Sequence, residues 1–190
     1  SLGYTVLLDA AAFVPTSALS LRAVPADFVA LSFYKMFGYP TGVGALVARR
    51  DALRRVTRPS FSGGTVDYVS VRHGTHLLRD GAEGFEDGTV NFLAIGAATA
   101  GLDWLDAVGA SRVGRHAGAL AALLARELRA LRHAGGAPAV RVYGSAGDRR
   151  DCGATVAFNL LDARGGPVPY SVVEERARSA RVSVRGGCFC

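Results

Sequence analysis

Short apolar runs alternate with helical stretches over the first half of this chain of 190 residues. The runs at residues 4–8, 28–33 and 43–48 predict three strands. The last two are joined through a loop rich in Gly and Pro around residue 35. Strands that alternate with helical segments are typical of an α/β domain, in which helices cover a sheet. The hydrophobic fraction of 49% and the charged fraction of 20% agree with a domain that buries a core.

The rest of the chain predicts more helix and then mixed structure. A short helix capped by Asp51 and a hairpin within residues 59–89 are followed by a helix from Asn91 to Gly109. Small residues such as Gly101 should allow that helix to pack closely. The patterns further predict a helix over 111–133, strands over 139–143, 154–160 and 181–185, and a helix over 170–179.

We therefore expect two parts, residues 1–108 in an α/β layer and residues 109–190 as a bridging helix with a small α+β domain.

The formal charge of +6 raises the question of whether the chain binds nucleic acid. The arginines are scattered in ones and twos without interleaved aromatics, so the charge is interpreted as a solvated surface and no nucleic-acid partner is expected. No run of apolar residues is long enough for a membrane helix.

The three cysteines are Cys152, Cys188 and Cys190, an odd number that does not make a disulfide framework. Neither a basic leader nor a cleavage site precedes the first strand, so a reducing cytoplasm is the expected setting. The Cys-x-Cys pair could suggest a metal site. The remaining cysteine and the four scattered histidines do not supply the spacing of a tetrahedral zinc site, so no metal is expected.

Lys35 is the only lysine among the 22 basic residues. An arginine-biased composition would explain a rare lysine. A lysine that must form an imine, however, cannot be replaced by arginine, because guanidinium stays protonated and is not an amine nucleophile.

Asp9 ends the first predicted strand, at the edge of an α/β sheet where ligands bind. Taken alone, Asp9 could simply cap the next turn. Together with Lys35 it supplies the pair that pyridoxal phosphate requires, an amine for the imine and an acid that keeps the ring nitrogen protonated.

Five separated segments now carry a resemblance. They are residues 8–11 (Leu-Asp-Ala-Ala), 27–35 (ending Ser-Phe-Tyr-Lys), 38–44 (Gly-Tyr-Pro-Thr-Gly-Val-Gly), 85–91 (Phe-Glu-Asp-Gly-Thr-Val-Asn) and 185–190 (Arg-Gly-Gly-Cys-Phe-Cys). In this order they resemble the class V aminotransferase and cysteine desulfurase superfamily, and most closely the molybdenum cofactor sulfurases. The resemblance implies the fold of type I pyridoxal-phosphate enzymes: residues 1–108 belong to the cofactor-binding large domain and the remainder to the small domain.

The resemblance also implies the cofactor-binding residues. Lys35 would be the Schiff-base lysine, and Asp9 would pair with the pyridine nitrogen. Ser32 and Tyr34 would contact the cofactor phosphate, with tyrosine standing where many relatives carry histidine. Thr89 would contact the phosphate of the cofactor held by a neighbouring subunit, which implies a homodimer.

For the reaction, the resemblance implies that Arg185 binds the substrate α-carboxylate and that Cys190 carries sulfur as a persulfide, with Cys188 as the main rival. The expected activity is a cysteine desulfurase, with L-cysteine as donor and the molybdenum cofactor as a candidate acceptor. The alternatives are a class V aminotransferase or epimerase, and a catalytically inactive truncated remnant. Ala12 stands where many desulfurases carry glutamine, and both ends are expected to be cut relative to the family.

Overall fold

The computed structural model describes residues 3–39, 41–144 and 153–188. Contacts between Cα atoms divide the chain into two compact units, Ser1–Ser111 and Arg112–Cys190. The division lies close to the expected boundary after residue 108. The assignment of these parts to a large and a small domain stays a prediction.

The first unit contains a three-stranded sheet in the order β1-β2-β3, formed by β1 (Leu7–Asp9), β2 (Phe28–Ser32) and β3 (Gly44–Ala48). β1 runs parallel to β2, with Asp9 opposite Ala30, and β3 runs antiparallel to β2. The strand predicted over 4–8 begins only at Leu7, the first residue that pairs with β2, opposite Phe28.

The buried core of this unit lies beside the sheet. Ala10, Ala26 and Val29 are almost fully buried, and partly buried apolar residues pack around them: Leu8, Val14, Leu19 and Leu31. Removing these apolar surfaces from water is the main term that stabilises the sheet. The core therefore fixes the ends of β1 and β2, where the candidate site residues lie.

Asp27 fastens the start of β2. Its carboxylate is buried and accepts a hydrogen bond of 2.9 Å from the Val6 backbone N–H. The guanidinium groups of Arg49 and Arg55 lie 3.5 Å and 3.8 Å from the same carboxylate. A buried carboxylate needs such donors, because desolvation without them is costly.

The chain between β2 and β3 differs from the prediction. Instead of a loop throughout, it begins with the short helix α1 (Phe33–Phe37), which Gly38 ends in the left-handed conformation at φ 69°. Helix α2 (Arg50–Leu53) follows β3, and its N-cap is Arg49 rather than the predicted Asp51. Asp51 instead lies in the first turn, where its carboxylate pairs with Arg49 at 2.7 Å.

The predicted hairpin is present as β4 (Val66–Ser70) and β5 (Thr75–Leu78), which pair antiparallel. A 3₁₀ helix (Gly81–Phe85) leads from β5 towards the long helix α3 (Phe92–Val108). The Asn91 side chain caps α3 by accepting a hydrogen bond from the Ala94 N–H at 3.2 Å. The start of α3 and its end at Gly109 agree with the sequence prediction.

Helix α4 (Ala110–Ala130) leads into the second unit, which also contains β6 (Val140–Val142), β7 (Phe158–Leu160) and α5 (Tyr170–Ser179). β6 and β7 pair antiparallel. The predicted strands at these places are longer than the observed ones. α4 ends before the predicted residue 133, because Arg132 already pairs with Pro138 in an isolated bridge.

The prediction of a strand over 181–185 is wrong. α5 ends at Ser179 with Ala180 as its C-cap, and Arg181 adopts the left-handed conformation at φ 58°. The Val182 N–H then donates to the Ala177 carbonyl at 2.8 Å, a bond that turns the chain back at the helix end. Among the residues that the structure describes, 182–185 pair with no strand.

None of the described helices is by itself both long and apolar enough to cross a membrane. The consecutive pair α3 and α4, bent by 68° at the break between them, satisfies only the criteria of length and composition.

Candidate functional site

The candidate lysine lies directly beyond the central strand of the sheet. β2 ends at Ser32, and Lys35 is exposed in the middle of α1. Its Nζ lies 5.7 Å from the centre of the Tyr34 ring, which is itself 42% exposed. A cation at this distance from the ring is weakly attracted to it. The amine, the aromatic ring and the half-buried Ser32 therefore lie on one short segment.

Asp9 is brought to the same edge of the sheet by the pairing of β1 with β2. The strands are parallel and Asp9 lies opposite Ala30, so both strands end where α1 begins. One Asp9 carboxylate oxygen accepts a hydrogen bond of 3.0 Å from the Ala11 N–H, and the side chain is exposed. Lys35 itself lies on α1, three residues beyond the end of β2, and the pairing of Asp9 with Lys35 in one site stays a prediction.

α1 is held in place by an aromatic cluster that sequence reasoning did not identify. The ring centroids of Phe33 and Phe37 are 5.9 Å apart, and Tyr39 meets Phe37 edge-on at 6.0 Å. The Tyr39 hydroxyl donates a hydrogen bond of 2.8 Å to the Ala94 carbonyl on α3. Phe37 also lies against Gly101 of α3, where a Cβ atom would collide with its ring.

The residues just before Thr89 are held by hydrogen bonds to Arg58 and Gly63. Arg58 donates to the Gly84 carbonyl at 2.8 Å and to the Asp87 carboxylate at 2.6 Å. The Gly88 N–H donates to the Gly63 carbonyl at 2.9 Å. Thr89 itself is exposed between these contacts and the start of α3.

The pKa of the Asp87 carboxyl is lowered. Its hydrogen bond with Arg58 lowers the pKa of the carboxyl, and the nearby Ser62 hydroxyl lowers it further. The Ser62 hydroxyl oxygen is buried and has no hydrogen-bond partner among the described residues, so the bond with Arg58 is the main cause. Asp87 is consequently a carboxylate at any pH near neutrality.

The remaining candidates lie in the second unit. Arg185 and Cys188 are both exposed, and Cys188 is a free thiol. The Gly186 N–H between them donates to the Glu174 carboxylate on α5 at 2.7 Å. A Cβ atom at Gly186 would lie 2.6 Å from the Tyr170 ring, so only glycine fits there. Cys190 and Cys152 lie outside the described residues.

The structure thus brings Asp9, Ser32, Tyr34 and Lys35 to one sheet edge in the first unit, whereas Arg185 and Cys188 lie on one exposed segment of the second. An exposed primary amine and an exposed carboxylate at the same sheet edge are the groups that pyridoxal phosphate requires, so the residues present fit this cofactor. Across the described ranges, no group of three His, Cys, Asp or Glu residues is placed to hold a metal ion.

The sheet with its flanking helices is similar to solved cysteine desulfurases. The apo structure of the enzyme from Thermococcus onnurineus matches with a TM-score of 0.76 and 27% identity, over 94% of this chain and 41% of that chain. The desulfurase CsdA from Escherichia coli matches with a TM-score of 0.76 and 23% identity, over 96% of this chain and 41% of that one. The architecture is therefore part of the type I fold of pyridoxal-phosphate-dependent transferases.

Residues 1–188 match the family described as "Aminotransferase class-V". The chain belongs to this family. Among its relatives are proteins named molybdenum cofactor sulfurase. Those of Drosophila mojavensis and Homo sapiens are 40% and 38% identical to it over 98% and 97% of this chain.

The chain spans about a quarter of the length of these relatives, 25% and 21% respectively. The family, the fold and the resemblance predicted from the sequence are confirmed. The roles of the individual site residues stay predictions.

Proposed function

We propose that this chain is part of a pyridoxal-phosphate-dependent enzyme that removes sulfur from L-cysteine and carries it as a persulfide. The observation that carries the proposal is the position of Lys35, the only lysine, on the helix that directly follows β2, with Asp9 at the end of the neighbouring parallel strand. The similarity to cysteine desulfurases and to molybdenum cofactor sulfurases supports the same reaction.

When bound, pyridoxal phosphate supplies an electron-accepting ring that stabilises negative charge at the substrate α-carbon. Lys35 would hold the cofactor covalently through Nζ, and Asp9 would keep the ring nitrogen protonated. Ser32 and Tyr34 would contact the phosphate, and Thr89 would contact the phosphate of the cofactor in a second copy, so the working form would be a homodimer.

The protein groups then divide the chemistry between them. Arg185 would bind the substrate α-carboxylate with its two parallel N–H groups. Lys35 Nζ, once free, would take and return the α-proton as a general base. A cysteine thiolate, from Cys190 or Cys188, would attack the substrate sulfur. The carbon–sulfur bond breaks, the new sulfur–sulfur bond forms, and the carbon skeleton leaves as alanine after protonation.

A reducing compartment such as the cytoplasm would keep the attacking thiol available. The molybdenum cofactor is the proposed sulfur acceptor, since the relatives named above are sulfurases of that cofactor.

Borohydride reduction in the presence of pyridoxal phosphate, followed by peptide mass spectrometry, tests the central step. We expect one reduced adduct, on Lys35, and none in Lys35→Arg, which keeps the charge. Alanine and persulfide formed from L-cysteine would identify a desulfurase. An adduct without sulfur release would favour an aminotransferase or epimerase, and a folded chain with no adduct would favour an inactive remnant and refute the proposal.

A further inference from the structure

Arg58 has an environment unlike that of an ordinary surface arginine. Its side chain is only 17% exposed. It donates to two acceptors on one segment, the Gly84 carbonyl and the Asp87 carboxylate. Its guanidinium carbon also lies 5.9 Å from the centre of the Phe85 ring. The planar guanidinium thus holds the segment at two places, which a lysine could not do in the same geometry.

A second contact with this segment comes from a hydrogen-bonded turn over residues 62–65. Thr65 is fully buried, and its hydroxyl both donates to the Ser62 carbonyl at 2.8 Å and accepts from the Ser62 N–H at 3.0 Å. The Gly63 carbonyl in this turn accepts the Gly88 N–H at 2.9 Å. Residues 84–88 are therefore fastened by Arg58 and by this turn immediately before Thr89.

From this geometry we propose that Arg58, paired with Asp87, is a positioning residue that holds Thr89 for binding a phosphate group. The inference rests on the proposed function, which gives Thr89 its phosphate ligand. Because Arg58 is only 17% exposed and donates to Gly84 and Asp87, the role inferred for it is to hold the backbone that presents Thr89 rather than to bind the ligand itself.

The variants Arg58→Gln and Asp87→Ala test the proposal, with Asp67→Ala as the matched control. Asp67 is an exposed carboxylate of the same hairpin region, 3.4 Å from Arg79, so its removal changes the net charge as much as removal of Asp87 does. Affinities for pyridoxal phosphate and for pyridoxal, which lacks the phosphate, are measured by absorbance titration of the whole chain. Positioning predicts about tenfold weaker binding of pyridoxal phosphate in both variants, the loss expected for one charge-assisted hydrogen bond.

Pyridoxal affinity should stay unchanged in all three variants, and Asp67→Ala should bind both compounds like the parent. Electrostatic attraction alone predicts the opposite result for Asp87→Ala, because losing a negative charge should tighten phosphate binding. Unchanged or tighter binding of pyridoxal phosphate by Asp87→Ala would overturn the proposal. An equal loss of affinity for pyridoxal would also overturn it, since the effect would then not concern the phosphate.

Hydrogen exchange of the protein without ligand separates this inference from the proposed function. Arg58→Gln should speed exchange of the Gly88 amide about tenfold relative to the parent, while the capped Ala94 amide on α3 stays unchanged. Unaltered Gly88 exchange would reject the positioning role even if Lys35 forms its adduct. Faster exchange in a chain whose Lys35 never forms an adduct would reject the proposed function and, with it, the phosphate ligand of Thr89.

Discussion

Phe37, on the helix that carries Lys35, lies directly against Gly101 of α3, at a point where any larger residue would collide with the ring. This contact joins the candidate lysine segment to the longest helix of the first unit. The sequence already suggested close packing at Gly101, and the structure identifies what packs there.

Gly101→Ala should therefore destabilise the first unit relative to the matched variant Gly96→Ala. Gly96 lies on the same helix with no atom near its missing side chain, so alanine there should stabilise by about 0.5–1 kcal/mol through helix propensity. At Gly101 the same gain is opposed by an overpacking cost of about 1–3 kcal/mol. Urea unfolding measures the difference between the two variants.

Relief of the collision provides a second check. Gly101→Ala should lower the free energy of unfolding less in the Phe37→Ala background than in the parent, because the two residues are in contact and their effects are coupled. Strict additivity of the two substitutions would show that the Phe37 ring does not cause the destabilisation.

The stability of the chain should fall in acid partly through Asp87. Its pKa in the folded protein lies below the ordinary value of 3.8, with the Arg58 hydrogen bond as the largest cause. The unfolded chain therefore takes up the proton first as the pH falls. The contribution of Asp87 is present above about pH 3.8 and is lost as the pH drops through the lower folded value.

Unfolding midpoints between pH 6 and 2.5, roughly the range over which carboxyl groups titrate, should consequently fall less steeply for Asp87→Asn than for the parent. Asp67→Asn serves as the control, because it removes an exposed carboxylate of the same hairpin region, 3.4 Å from Arg79, and so changes the net charge equally. Parallel curves for the parent and Asp87→Asn would contradict the prediction.

Glu174 on α5 should strengthen substrate binding by holding the segment that carries Arg185. Its carboxylate accepts the Gly186 N–H at 2.7 Å, between Arg185 and Cys188. Glu174→Ala removes this acceptor and should loosen the segment, raising KM for L-cysteine about threefold to tenfold with a smaller effect on kcat.

Glu174→Gln offers a matched comparison, since its amide oxygen can still accept the bond. It should stay within about twofold of the parent, because a neutral acceptor bonds somewhat more weakly than a carboxylate. Equal KM values for Glu174→Ala and the parent would show that Arg185 is held by other contacts.

The sequence was informative where chemistry restricts the residue type. A single lysine and an acid at a strand end could be identified because few other residues perform their tasks, and the parallel pairing of β1 with β2 brings their strand ends together. Arg58 could not be found in this way. It is one of many arginines, and its distinction is a contact with Asp87 that local patterns do not encode.

Local patterns also failed where the backbone departs from the usual conformation of a residue. Residues 181–185 alternate in a way that predicts a strand, but Arg181 adopts a conformation that favours glycine and turns the chain at the end of α5. Asp51 looked like a helix cap because aspartate favours that position, yet the helix begins earlier and Asp51 pairs with Arg49.

α1 has only five residues, far fewer than a helix needs to persist alone in water. The helix is stabilised by the strand before it and by the contacts of Phe37 and Tyr39 with α3. The position of the Lys35 amine therefore depends on tertiary contacts. A substitution that unfolds part of α3 would displace this amine without changing Lys35 itself.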